Sequence, residues 1–199
     1  MLAAAEGKTP GKGITMKKAA VMFAPGYEEG ESLFVVDIIR RGGFECDAVG
    51  LESEQVTGCN GVTALADKVF DGSLEGYDLV VLPGGMPGAA NLAANDALVE
   101  AIKKMVDEGK LVASICAGPM SLDRAGLLDG RRFTCFPTRK DSIGRAGEWV
   151  DELVVRDGNV ITSQGPGTTL HFAYALVDAL GGDGDALRER MLYNKVLGK

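Results

Sequence analysis

Three short apolar runs each stop abruptly at a glycine-rich turn, and these constrain the fold more than any other feature of the chain. Lys18 to Ala24 reads KAAVMFA and meets Pro25-Gly26, Asp78 to Leu82 reads DLVVL and meets Pro83-Gly84-Gly85, and Lys110 to Ile115 reads KLVASI and meets Cys116-Ala117-Gly118. Near-continuous apolar runs of this length suit strands buried on both faces, as in a parallel sheet. Helical spacing falls between them. Glu31 to Arg41 places Leu33, Val36 and Ile39 at helical intervals and stops at Gly42-Gly43, and Asn95 to Glu108 repeats Leu98, Ile102 and Met105 among charges. Strands alternating with helices predict βαβ units, hence an α/β sandwich with a mostly parallel sheet and helices on both faces. In such folds sites form at the carboxyl ends of strands, where the three glycine turns lie.

The remaining segments fill out this plan. Phe44 to Gly50 alternates as a second strand, and Val62 to Phe70 reads as a short hairpin or edge excursion. A helix should follow Pro119, and Arg132 to Phe136 is a candidate strand. Leu153 to Arg156 and Val160 to Ser163 flank the hairpin signal Asp157-Gly158-Asn159. Thr168, after Gly165-Pro166-Gly167, should cap a helix reaching Leu180, and Asp183 to Val196 should form a last helix. Residues 1–15 lack periodicity and any secretion-signal core, and read as a disordered extension or expression remnant before a single domain at 16–199.

Composition excludes several functions. A formal charge of −7 disfavours nucleic acid and anionic membranes as partners, and no apolar run approaches the roughly 18 residues of a membrane span. The four cysteines, Cys46, Cys59, Cys116 and Cys135, form no CxxC pair, and with one histidine in the chain neither a zinc site nor a disulfide framework is expected. Their usage suits a reducing, cytoplasmic compartment. GGMPGA lacks the GxGxxG spacing of a dinucleotide site, so no cofactor is expected.

Cys116 has two readings. At a strand-to-helix elbow it would be exposed near a helix N-terminus that favours a thiolate, and small neighbours would permit the turn. As a small hydrophobe it would be buried and inert; Cys46, Cys59 and Cys135 are expected as small core or edge residues. Gly84-Gly85 is either an ordinary turn or a source of backbone N–H groups for an oxyanion. In Glu28-Glu29-Gly30-Glu31, two acids can complement a helix dipole, and a third tucked under the strand ends would have a raised pKa and could donate to a thiolate. His171, within a helix, is a poor partner for a catalytic cysteine, and Trp149 is a packing anchor.

Taken in order, APGYEEGES, VVDIIRRGG, YDLVVLPGGMPGA, ASICAGP, FPTRKD and TSQGPGTTLHFA resemble the ThiJ/PfpI superfamily, in the branch of the parkinsonism-associated deglycase and YajL. The resemblance implies a flavodoxin-like sandwich, usually homodimeric, with Asp37 and Arg41 on the interface helix. It also implies that Cys116 is the elbow nucleophile, that Glu31 is the acid bonded to its thiol, and that Gly85, preceded by Gly84, and Ala117 supply backbone donors. Phe136 stands where the human-type branch has a histidine, which speaks against a Cys–His–acid hydrolase. The implied activity is a cofactor-independent glyoxalase or protein deglycase acting on methylglyoxal-type α-oxoaldehydes or their adducts, in stress protection. A redox-sensing chaperone whose Cys116 oxidises to sulfinate is the alternative.

Overall fold

The computed structural model describes residues 16–198; the expectation for 1–15 lies outside them. In chain order the elements are β1 (Lys18–Phe23), α1 (Glu29–Arg41), β2 (Glu45–Gly50), β3 (Gln55–Thr57), β4 (Thr63–Leu65), β5 (Lys68–Val69), β6 (Leu79–Leu82), α2 (Gly88–Ala94), α3 (Asp96–Asp107) and β7 (Leu111–Ile115). They continue with α4 (Pro119–Arg124), β8 (Arg132–Phe133), β9 (Glu148–Trp149), β10 (Val154–Asp157), β11 (Val160–Ser163), α5 (Thr169–Ala179), α6 (Gly184–Arg190) and α7 (Tyr193–Val196). Seven strands form the main sheet in the order β10-β11-β7-β6-β1-β2-β5, with every pairing parallel except β10 with β11. This is the expected flavodoxin-like sandwich.

The central strands show why their sequences are apolar without alternation. Ala19, Val21 and Phe23 of β1 face one core with Leu79 and Val81 of β6, and α1 and α5 cover it. Ala20 and Met22 face the opposite core with Val80 and Leu82, beneath Leu92, Leu98, Ile102 and Leu122 of α2, α3 and α4. Side chains alternate between two buried faces, so every position from Ala19 to Phe23 and from Leu79 to Leu82 is buried and apolar.

Several boundaries move for local reasons. Helix α1 starts at Glu29 because the Glu28 carboxylate accepts the Glu31 N–H at 2.5 Å, capping the helix two residues before the predicted start. Val62 to Phe70 splits: β4 pairs with β3 as a separate antiparallel ribbon, while β5 joins the sheet beside β2. Asn95, which accepts from the Leu98 N–H at 2.9 Å, caps α3 and separates it from α2, which sequence periodicity did not reveal. The strand expected over Arg132 to Phe136 is only two residues long, because Phe136 N–H turns to donate to the Cys116 carbonyl. Thr168 does not cap α5 with its side chain; its Oγ1 donates to the Gly165 carbonyl at 2.9 Å and closes a 3-10 turn over Pro166–Thr168. The last predicted helix breaks at Leu192, whose φ of 60° ends α6 before α7 begins.

Candidate active site

Three strand ends converge on one point. After β7, Cys116 adopts φ 62°, a left-handed conformation uncommon for a residue with a Cβ. The surroundings over-determine it. Cys116 N–H donates to the Ser163 carbonyl at 3.0 Å, its own carbonyl accepts from Phe136 N–H at 2.9 Å, and Gly118 N–H closes onto the Ile115 carbonyl at 2.8 Å. Gly118 is obligatory here, since a Cβ on it would lie 2.2 Å from the Leu82 carbonyl oxygen. The elbow reading of Cys116 thus has its backbone signature.

The turn after β6 supplies the second wall. A Cβ on Gly84 would lie 2.7 Å from both Cys116 Cβ and Glu31 Oε2, and 3.0 Å from the Ala117 nitrogen, so the thiol, the acid and the elbow amide meet around one missing side chain. Gly85, at φ 84°, packs against Glu28 and the Gly26 carbonyl, where a Cβ would come within 2.5 Å of backbone. Gly84 carbonyl accepts from Glu28 N–H at 3.0 Å, tying this turn to the one after β1.

The third component is Glu31, in the first turn of α1 and fully buried. Its Oε2 accepts from Gly84 N–H at 2.7 Å, and Oε1 is buried without a hydrogen-bonding partner among the described residues. Gly84 N–H is therefore committed to the acid rather than to an oxyanion. Gly85 and Ala117 are the amides that act on the Cys116 sulfur. Burial pushes the Glu31 carboxyl up to about 7, against the opposing pull of the Gly84 N–H and the thiol, and the Glu28 charge adds to the rise.

The thiol itself departs from the expectation of a favoured thiolate. Burial, then the charge of Glu31, holds Cys116 well above the ordinary thiol range, against the opposing pull of Ala117 and Gly85 N–H. Helix α4 is only six residues long, and its N-terminus does not outweigh these two effects. Protonation of Glu31 removes the charge and turns the carboxyl into a donor, so the two groups titrate as a pair.

The other acids have separate tasks. Glu28 caps α1. Glu29 Oε1 accepts from the backbone N–H groups of Asn60 at 2.7 Å and Val62 at 3.3 Å, and Oε2 accepts from Asn60 Nδ2 at 2.9 Å, which pins the β3–β4 loop to α1. Burial raises the Glu29 pKa, but these bonds outweigh it and leave the group below its ordinary value. Nothing in the residue pattern distinguished Glu29 from its neighbours, because its donors come from a loop about 30 positions away.

Above the thiol opens a cavity of about 230 Å³ whose walls include Gly85, Met86, Cys116, Ala117 and Phe136. Phe136 is exposed and forms its rim, where sequence reasoning noted only a missing histidine. His171 is not in this wall; its Nδ1 is bonded to the Tyr193 hydroxyl at 2.7 Å in the packing of α5 against α7. Cys46 and Cys135 are buried, their thiols pushed up to about 12 and about 11 by burial, whereas Cys59, expected as a core or edge residue, is exposed. Among the described residues no group of three or more His, Cys, Asp or Glu side chains is placed to hold a metal ion, and no helix is long and apolar enough to cross a membrane.

A parallel sandwich with a left-handed cysteine at the elbow after β7, beside a buried acid from the first turn of α1, defines a class of α/β proteins with a cysteine-centred site. Residues 17–179 match the DJ-1/PfpI family, and the chain belongs to it. It is 38% identical over 171 residues to the Parkinson disease protein 7 homolog of Danio rerio, covering 83% of this chain and 90% of that one. It is 39% identical over 153 residues to deglycase TK1284 of Thermococcus kodakarensis, covering 75% and 91%. The chain spans only 39% of the length of Protein DJ-1 homolog B of Arabidopsis thaliana, with which it shares 34% identity. The crystal structure of Drosophila melanogaster DJ-1beta superposes with a TM-score of 0.86 at 33% identity, covering 89% of this chain and 98% of that one.

Proposed function

We propose that the protein is a cysteine-dependent, cofactor-independent glyoxalase with protein deglycase capacity, acting on methylglyoxal-type α-oxoaldehydes or their adducts in stress protection. The observation that carries this reading is a carboxyl titrating at about 7 against the one cysteine that lies at the floor of an open cavity. A base is most useful when its pKa lies near the working pH. The deglycase among the relatives supports the same direction.

The reaction proceeds as follows. Ionised Glu31 accepts the thiol proton as Cys116 Sγ bonds to the aldehyde carbon, and the C=O pair moves to oxygen, held by Gly85 and Ala117 N–H, to give a hemithioacetal after protonation. Having given the thiol proton to that oxygen, Glu31 removes the proton from the former aldehyde carbon and returns it to the adjacent carbon, while the hydroxyl proton passes from the first oxygen to the second. The result is a thioester of the 2-hydroxy acid, and water cleaves it to release lactate and the thiol. One water is consumed and no external oxidant or reductant is needed. The assay is lactate formation from methylglyoxal without glutathione. Cys116→Ala should abolish it, and activity that survives the substitution refutes the mechanism.

The redox-sensing reading uses the same geometry, since a protonated Glu31 can donate to an oxygen on oxidised Cys116. We further propose a cytoplasmic homodimer formed through α1 and the β3–β4 ribbon. Asp37 and Arg41, bonded to each other at 2.7 Å, lie on this helix. The predicted apolar face of α1 divides. Val36 and Ile39 enter the core with Val35 and Ile38, but Leu33 and Phe34 are 42% and 48% exposed, beside exposed Val62 of the β3–β4 loop. Large apolar side chains clustered in this way favour a protein partner over water.

A further inference from the structure

The cavity over Cys116 has one charged residue in its wall, and neither the proposed mechanism nor the backbone donors use it. Pro137–Arg139 form a single 3-10 turn immediately after Phe136, and this turn brings Thr138 and Arg139 into the wall with Cys116 and Gly85. Arg139 is held from its backbone. Its N–H donates to the Phe136 carbonyl at 2.8 Å, and its carbonyl accepts from Ser142 and Ile143. The guanidinium, half-buried, makes no hydrogen bond or ion pair with another described residue. This is unusual in a chain carrying 28 acidic and 21 basic side chains, where acids are plentiful partners.

The electrostatics of the cavity give that cation a use. Glu31 lies beneath the sulfur and the protein carries a net charge of −7, so an anionic compound approaching Cys116 meets repulsion unless a cation stands at the mouth. A planar guanidinium with free donors matches a carboxylate in geometry as well as charge. The volume of about 230 Å³ suits a compound of a few carbons, with its electrophilic carbon at the sulfur and its anionic end toward Arg139.

We propose that Arg139 makes the Cys116 cavity a receptor for small anionic electrophiles, and that its preferred substrates are α-oxoaldehydes bearing a carboxylate. The substrate claim rests on the glyoxalase reading; the anion-binding claim rests only on Cys116 being reachable from this cavity.

Iodoacetate and iodoacetamide test it directly. Each alkylates Cys116 by the same displacement: the sulfur–carbon bond forms, the carbon–iodine bond breaks, iodide leaves, and the thiol proton passes to Glu31 or water. The two reagents are close in size and shape and one carries a negative charge, and their intrinsic difference in rate is common to wild type and variant. The ratio of their rates at Cys116, followed by mass spectrometry at low salt, should fall about tenfold in Arg139→Gln, the order expected for loss of a charge-assisted hydrogen bond. Arg139→Lys should recover part of it, and added salt should lower the wild-type ratio. A ratio unchanged in Arg139→Gln, with folding verified by circular dichroism, overturns the proposal, as does a ratio that Lys fails to raise above that of Gln. If methylglyoxal is not turned over while the ratio still falls, the anion receptor stands and the glyoxalase reading fails.

Discussion

Replacing Glu31 by glutamine isolates what its burial does. The carboxyl rises from an ordinary 4.5 to about 7 in the folded chain. Below pH 4.5 both states hold the proton. Between 4.5 and 7 the unfolded chain releases it and the folded chain keeps it, so the folded state loses stability as pH rises, and above 7 the loss is complete. At about 1.4 kcal/mol per pH unit this amounts to about 3 kcal/mol. Glutamine has the same shape and can still accept from Gly84 N–H, but it carries no proton to release. The stability difference, variant minus wild type, should therefore climb by about 3 kcal/mol between pH 4.5 and 7 and then level off. All other titrating groups are common to both chains and cancel to first order. Urea unfolding at pH 5, 6, 7 and 8 measures the difference directly. A difference that stays flat, or slopes the other way, refutes the buried-acid argument. It would also remove the basis for Glu31 as a proton carrier at neutral pH.

Gly84→Ala should cripple the site by crowding it, because its methyl would sit 2.7 Å from Cys116 Cβ and Glu31 Oε2; a stability loss of about 1–3 kcal/mol and a drop in Cys116 alkylation are expected, and wild-type reactivity would contradict the geometry. Under mild peroxide, mass spectrometry should find two oxygens on Cys116 before any other cysteine, because its sulfur opens into the cavity beside Glu31 whereas Cys46 and Cys135 are buried and Cys59 is not in the wall of that cavity; uniform oxidation removes the redox-sensing reading. Phe34→Glu should convert a dimer to monomer in light scattering while leaving the fold intact, since Phe34 is 48% exposed within the chain; an unchanged mass excludes this face as the interface.

The strands were legible because burial on both faces disfavours polar residues, so β1, β6 and β7 stand out as mostly apolar runs, with Ser114 the one small polar residue buried within them. The glycines at 84, 85 and 118 were legible as turns, and the structure adds that they are contact points where a Cβ would strike another strand end. Helix boundaries were less visible because they depend on side-chain caps. Glu28 reads like any other acid until its carboxylate is seen on the Glu31 N–H. The three acids were the hardest to sort. Glu28, Glu29 and Glu31 differ in nothing local, and their roles follow from what other segments bring to each: its own helix turn, the β3–β4 loop, and the Gly84 turn. Residue type also misled in one respect. A cysteine before a short helix suggested a ready thiolate, but burial and the nearby carboxylate act in the opposite direction and are stronger.

That opposition bears on which reactions the site can carry out. A cysteine paired with histidine can hold a thiolate beside an imidazolium, and the imidazolium then has a proton for a departing amine. Cysteine paired with a buried carboxyl has no such positive partner. Above about pH 7 the pair carries one negative charge and one shared proton, and the only histidine of the chain is occupied at Tyr193. Such a pair is poorly suited to expelling an unactivated amine from an amide. It is well suited to a substrate whose own carbonyl is electrophilic enough for attack as the thiol proton passes to Glu31, and whose next step is to move a carbon-bound proton to the adjacent carbon. Both steps keep the charge within reach of Glu31, Gly85 and Ala117. The arrangement of a partly buried thiol, a neutral-range acid and two amides therefore supports the proposed reading, in which reactive α-dicarbonyls rather than peptides are the substrates, by its charge balance and not by the size of the cavity.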